Sequence, residues 1–370
     1  MKIVRRSLAE KIKCFDPFLM LCTVGLSFLS MLILWGGRGD FGSRAFLMQT
    51  AMSAVGCVAV VVLASLDYEH IVDKYCIVAF LGSVFIMAVT ALFGVSIGSN
   101  RSWLEIAGFS VQPSEFVKAA YIMTFSKHLS MVKDRINKPK TLLGLGIHAG
   151  IIIGCVLIGG DLGVALIYMG ITAVMLYCAG LSGWYFLAVG VVAALAFPYL
   201  WDYLELYQQE RILVAFDPDL DPTGKGQQSI IGRRAIINGG LTGCGVEGGY
   251  YYTTLPVAES DFMYATLCEK LGFLGGAAVL LLMLLAVVRI LMIARRSRQD
   301  YGKYICCGVA AMLVLQTIVN VGMCLVMLPV IGITLPFVSA GGSSVLATYI
   351  IIGMVHSVHA GRSKYYLDPK

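Results

Sequence analysis

Asp261, Lys118 and Asp161 are ionisable residues standing where ionisation is costly, at the edge of long apolar runs. A charge in that position usually has a task. Asp261 ends a polar segment and opens an apolar one, a place suited to a carboxylate that takes a proton from a hydroxyl. Partial burial there raises its pKa and makes it a better base while it stays ionised. Lys118, Arg101, Arg211, Arg233 and Arg234 are the cations that could hold an anion, and forked guanidiniums suit phosphate oxygens. Trp103 offers a flat face beside them, Glu115 and Glu269 add carboxylates, and Ser343 lies in Gly341-Gly342-Ser343-Ser344.

Each of these residues also has an ordinary explanation. Glu115 and Lys118 are three apart, the spacing of an ion pair within one helix. Pro113 and a following carboxylate are common in a first helical turn. The same rule covers Asp161 and Asp261. Trp103 suits an interfacial belt, and the Gly-Gly-Ser-Ser run suits close helix packing. Asp217, Asp219 and Asp221 resemble the start of a calcium loop, but Pro222 stands where that loop needs glycine and no glutamate closes it. Turns at Asp-Pro are the better reading.

The elements that must position these residues are membrane helices. Of 370 residues, 58% are hydrophobic and 14% charged, against roughly half and a quarter in a soluble domain. The apolar residues come in blocks of about twenty, enough to cross a bilayer as a helix. In lipid, backbone groups must be satisfied within the segment, so the blocks are helices. Ten candidate spans lie near 17–36, 45–66, 74–94, 113–131, 142–160, 161–180, 183–200, 262–294, 304–328 and 341–361. The expected fold is an all-α polytopic membrane protein forming one domain over residues 1–370. It has one large loop outside the membrane, at about 201–261.

Lysine and arginine in short loops set the orientation. The clusters at Lys2–Lys13, Lys133–Lys140, Arg295–Lys303 and Arg362–Lys370 all fall on one side of a ten-span chain, the cytoplasmic side. Both termini are then cytoplasmic. The net charge of +6 comes from these loops and is no nucleic-acid signature. The eleven cysteines show no CxxC or Cys/His spacing, which argues against a disulfide framework or a zinc site. The five histidines fall at or near the inner half and are expected to lie apart. The acids and bases named above converge instead on the outer face, where an apolar bundle needs no such number at one depth.

At these same positions the chain resembles a known family, the shape, elongation, division and sporulation proteins of the RodA/FtsW type. Four blocks carry the resemblance. The first runs from Arg101-Ser102-Trp103 to Gln112-Pro113-Ser114-Glu115 and Lys118; the second is Asp161-Leu162-Gly163. The third begins at Arg211-Ile212-Leu213, passes Asp217-Pro218 and Gly226-Gln227-Gln228, and reaches Ser260-Asp261-Phe262 and Glu269. The fourth is Leu335-Pro336-Phe337-Val338-Ser339 with Gly341-Gly342-Ser343-Ser344. Departures are Gly160 in place of proline, Val257-Ala258-Glu259-Ser260 before Asp261, Ala340 in place of tyrosine, Ile331-Gly332-Ile333-Thr334 near the end, and Lys270 in place of a second glutamate.

The resemblance implies a glycosyltransferase of the bacterial cytoplasmic membrane that polymerises lipid II into glycan strands. It implies a class B penicillin-binding protein as partner. It places the functional carboxylate on Asp261, the functional tryptophan on Trp103, and the buried lysine and aspartate on Lys118 and Asp161. In such a reaction Asp261 would activate a sugar hydroxyl. Arg101, Lys118, Arg211 and Arg233 would stabilise the pyrophosphate that leaves, and Trp103 and Ser343 would contact substrate. Glu115, Asp161 and Glu269 would shape the cavity. A divalent cation, Mg or Mn, could share the pyrophosphate, although no protein cage for one is visible. Two other readings remain open at this point, a lipid-linked sugar flippase and a non-catalytic scaffold for a cell-wall transpeptidase.

Overall fold

A computed structural model describes residues 15–363 except 98–99, 107–108, 204–205 and 225. Helices occupy the apolar blocks. They are α1 (Pro17–Gly36), α2 (Ser43–Ser65), α3 (Tyr68–Phe93), α4 (Pro113–Val132), α5 (Pro139–Ile158), α6 (Leu162–Cys178) and α7 (Gly183–Trp201). The large loop contributes α8 (Leu206–Phe216) and α9 (Gln227–Gly239), and the bundle closes with α10 (Met263–Arg295), α11 (Asp300–Cys324) and α12 (Gly342–Ser363). Among the described residues, α1, α2, α3, α5, α10, α11 and α12 are long and apolar enough to cross a membrane; α6 and α7 are apolar but shorter. The chain is therefore a mostly helical, polytopic membrane protein.

Helix ends follow capping rather than hydropathy. The α3 helix starts at Tyr68, not near 74, because Asp67 accepts the Glu69 N–H at 3.2 Å and carries the helix through a polar first turn. A break inside α10 comes from Gly272, whose φ of 69° is left-handed. It separates a short first stretch, from Met263 to Leu271, from the long apolar remainder. The helices meet through small residues, as helices in lipid do. Gly56 lies against the Tyr349 ring, Gly170 against Leu315, and Gly308 against Met175.

Two features differ from the expectations. The segment between the third and fourth candidate spans, for which an all-α fold left no element, forms a small antiparallel sheet of β1 (Val95–Ile97), β2 (Asn100–Ile106) and β3 (Phe109–Val111) in the order β1-β2-β3. Its strands are too short to stand out against the flanking apolar blocks. The histidines are not apart. His128 Nδ1 faces His148 Nδ1 at 3.1 Å between α4 and α5. His356 Nδ1 accepts the Asp16 N–H at 3.3 Å, while His359 Nδ1 lies 3.8 Å from the Asp16 carboxylate, which also accepts from Arg289 Nε at 2.8 Å. Helical spacing tells which residues share a face, not which helix that face meets.

Candidate active site

The N-terminal end of α4 supplies a buried ion pair. Pro113 sets the first turn, and the three-residue spacing brings Lys118 Nζ to 2.7 Å from Glu115 Oε1. Both side chains are almost wholly buried. Such a pair is costly to desolvate and costlier to break, because the partner left behind stays buried and charged.

Asp161 faces this pair from the turn between α5 and α6. One of its oxygens accepts the Val164 N–H at 3.0 Å, capping α6, and the other accepts from Gln112 Nε2 at 3.1 Å. Burial pushes its carboxyl pKa up, the Val164 bond opposes that, and the nearby Glu115 raises it further. The N–H of Val164 and the Gln112 amide therefore orient Asp161 without neutralising it.

Asp261 is held differently. Its backbone carbonyl accepts from Asn320 Nδ2 at 2.8 Å, and the same amide nitrogen donates to the Ile333 carbonyl at 2.7 Å. Ser339 Oγ accepts the Leu335 N–H at 2.8 Å and donates to the Ser260 carbonyl, and the Ala340 N–H donates to the Glu259 carbonyl at 2.8 Å. The 332–340 segment thus splints residues 259–261 through their backbone. Gly332 adopts a φ of 67° where any added Cβ would lie 3.4 Å from Asp261 Oδ2, so the carboxylate sits against bare backbone. Among the described residues its oxygens make no hydrogen bond. Burial pushes its pKa up to about 6, with Glu259 and then Asp161 adding like charge. Asp161 and Asp261, one hundred residues apart in sequence, thus share one electrostatic site.

The remaining predicted residues fall around this core. Trp103 is half-buried on β2, opposite Val95. Ser343 is half-buried in the first turn of α12. Arg233 is exposed on α9, and Arg234 beside it is exposed too. Arg101 lies on β2 and Arg211 on α8, but both side chains lie outside the described ones. Glu269 lies elsewhere, completely buried. Its carboxylate accepts the N–H groups of Tyr250, Tyr251 and Tyr252 and the Asn238 amide, all at 2.8–2.9 Å. Lys270, next to it, donates to the carbonyls of Val246 and Gly248 at 2.9 and 3.2 Å and lies 3.9 Å from the centre of the Tyr252 ring. Together they clamp the end of the large loop onto α10.

Sequence reasoning gave no role to Asn320, Ser339 and Gln112, although the last two stand in the blocks that carry the family resemblance. Asn320 had a visible signal, as an amide inside an apolar block, where a polar side chain needs a partner. Gln112 and Ser339 act through neighbours far away in sequence, so their place in the family blocks showed no partner.

A helical membrane bundle with a half-buried carboxylate and a buried lysine pair at one end defines a class of intramembrane enzyme or carrier sites. Comparison narrows it. Residues 13–364 match the FTSW_RODA_SPOVE family, described as "Cell cycle protein", and the chain belongs to that family. It is 32% identical over 358 residues to peptidoglycan glycosyltransferase MrdB of Escherichia coli K12, covering 94% of each. It is 29% identical to a probable peptidoglycan glycosyltransferase FtsW of Geobacter sp. strain M18, covering 94% of this chain and 98% of that one. A solved chain described under "Structural coordination of polymerization and crosslinking by a peptidoglycan synthase complex" superposes with a TM-score of 0.83 at 26% identity, covering 94% of this chain and 98% of that chain.

Proposed function

We propose that this protein is a peptidoglycan glycosyltransferase that polymerises lipid II at the outer face of the bacterial cytoplasmic membrane, with Asp261 as its base. The relatives carry that activity in their names. The observation that carries the assignment of Asp261 is its carboxylate, free of hydrogen bonds among the described residues, pushed up to about 6 and splinted through its backbone. A base of that pKa is mostly ionised at neutral pH and strong enough to accept a hydroxyl proton as the sugar–oxygen bond forms. The proton goes to Asp261, the new glycosidic bond forms at the anomeric carbon, and the lipid pyrophosphate leaves with its electron pair.

The cations have the complementary role. Lys118 is committed to Glu115 and keeps the cavity in shape, while Arg233, with Arg101 and Arg211, meets the pyrophosphate. Trp103 and Ser343 line the substrate's path. Among the described residues no group of three His, Cys, Asp or Glu side chains could hold a metal. A divalent cation brought in on the pyrophosphate would need only one or two carboxylates beside the phosphate oxygens, and no step is routed through one.

We read all ten long helices, α1 to α7 and α10 to α12, as spans, with both termini cytoplasmic and residues 201–261 outside. On this topology the Lys118, Asp161 and Asp261 groups share the outer face. The partner we infer is a class B penicillin-binding protein, in keeping with the synthase complex that the fold matches. Purified protein in detergent, given labelled lipid II with and without such a partner, tests the assignment. Glycan ladders from the wild type are expected. Lipid II translocation in vesicles without any ladder would mark a flippase instead, and neither activity under any condition would mark a scaffold.

A further inference from the structure

Between β2, α3, α5 and the starts of α4 and α6 lies a cavity of about 10 Å³, lined by Asp161, Ser102 and Ser114 and also by Thr90, Cys155 and apolar neighbours such as Met87. Ser102 is 7% exposed and Ser114 3%; neither hydroxyl makes a well-formed hydrogen bond to the protein, and Ser102 stands near enough to Asp161 to help hold that carboxyl's pKa down. Buried polar groups without partners are rare in folded proteins, and those that occur need an explanation. Two of them face a single cavity here, beside a buried carboxylate.

Size and donor set decide what fills it. The volume matches the space one water needs, and three polar neighbours match the two to four bonds a buried water makes. A hard cation would need about six or more oxygen ligands; beyond these three groups the lining adds only the Thr90 hydroxyl, which donates to the Ile86 carbonyl at 2.7 Å, the Cys155 thiol and no other polar side chain. We propose that one water molecule is bound in this cavity, accepting from Ser102 Oγ and Ser114 Oγ and donating to the Asp161 carboxylate. It joins three elements: the hairpin that carries Trp103, the start of α4 that carries Glu115, and the cap of α6, the last two of which also meet through Gln112 and Asp161.

The water has a consequence for the reaction. Its hydrogen bond favours the charged form of Asp161, and the Asp161 charge is one cause of the high Asp261 pKa. The ionisable groups facing Asp161 are Glu115, Lys118, Tyr168 and Asp261, with Glu259 acting on Asp261 as well. Removing the water makes Asp161 easier to protonate and so relieves Asp261. Ser102 and Ser114 are thereby positioning residues that act on the base through a water and a second carboxylate. This part rests on Asp261 being the base.

The test compares wild type with a Ser102→Ala, Ser114→Ala double variant. A structure at water-resolving resolution should show one peak within hydrogen-bond distance of all three groups in the wild type and none in the double variant. A dry wild-type cavity, or a peak that survives in the double variant, overturns the inference. The acid limb of the polymerisation pH profile should move to lower pH in the double variant. A purely structural role would lower the rate equally at every pH, and an unmoved limb overturns the link to Asp261. If the double variant does not fold, Ser102→Ala alone, on the hairpin, carries both measurements. A wild type that holds the water but makes no glycan refutes the proposed activity and leaves the water site standing.

Discussion

Two carboxylates at the N-terminal end of α10, Asp261 and Glu269, are eight residues apart and could hardly be treated more differently. Glu269 is wholly buried and accepts from four N–H groups. Asp261 is half-buried, and its side chain accepts none among the described residues; the hydrogen bonds around it fall on its backbone. The first arrangement spends the charge on holding a loop. The second fixes the residue while leaving its oxygens to a ligand. Depth alone does not separate a structural acid from a reactive one; the count of donors on its oxygens does.

The comparison breaks most visibly if Glu269 is truncated. Glu269→Ala leaves the N–H groups of Tyr250, Tyr251 and Tyr252 and the Asn238 amide without their acceptor, and strands Lys270 without its neighbouring carboxylate. A loss of about 3–5 kcal/mol is expected, read as a large fall in Tm or in the yield of monodisperse protein. Lys118→Met should cost a similar or slightly smaller amount, because it leaves Glu115 buried and unpaired. The double replacement Glu115→Gln, Lys118→Met should recover part of that loss in the same melting experiment.

Asp261→Asn sharpens the contrast from the other side, since it should not destabilise. A carboxyl whose folded pKa is raised above its unfolded value favours folding below the unfolded pKa, near 4, and loses that contribution as pH rises through about 6. The Asn variant carries no such burden. Its Tm advantage over the wild type should therefore be absent near pH 4, grow between pH 4 and pH 6, and stay level above. The smallest expected effect is on the rate profile of the wild type. Polymerisation should fall off below about pH 6, tenfold for each pH unit further down, as Asp261 takes up a proton.

Much of this was legible in the sequence, for identifiable reasons. The apolar blocks are long enough that their helices follow from the bilayer alone. The Glu115–Lys118 pair follows from helical spacing, since both partners lie on one element. What was not legible depends on contacts between distant segments. The splint of Asn320 and Ser339 on residues 259–261 crosses some sixty to eighty positions, and Glu269 is told apart from Asp261 only by a loop folding back on it. The pairing of His128 with His148 failed for the same cause, because each helix was read by itself.

The central claim is that Asp261 is a free base and Glu269 a structural clamp. Lipid II polymerisation per folded molecule, measured side by side for wild type, Asp261→Asn and Glu269→Gln, tests it most directly. The account predicts a loss of about 10²–10⁴-fold for Asp261→Asn with an unimpaired fold. It predicts near wild-type turnover from whatever fraction of Glu269→Gln remains folded. An Asp261→Asn protein that still builds glycan at the wild-type rate, or a well-folded Glu269→Gln protein that builds none, would contradict it.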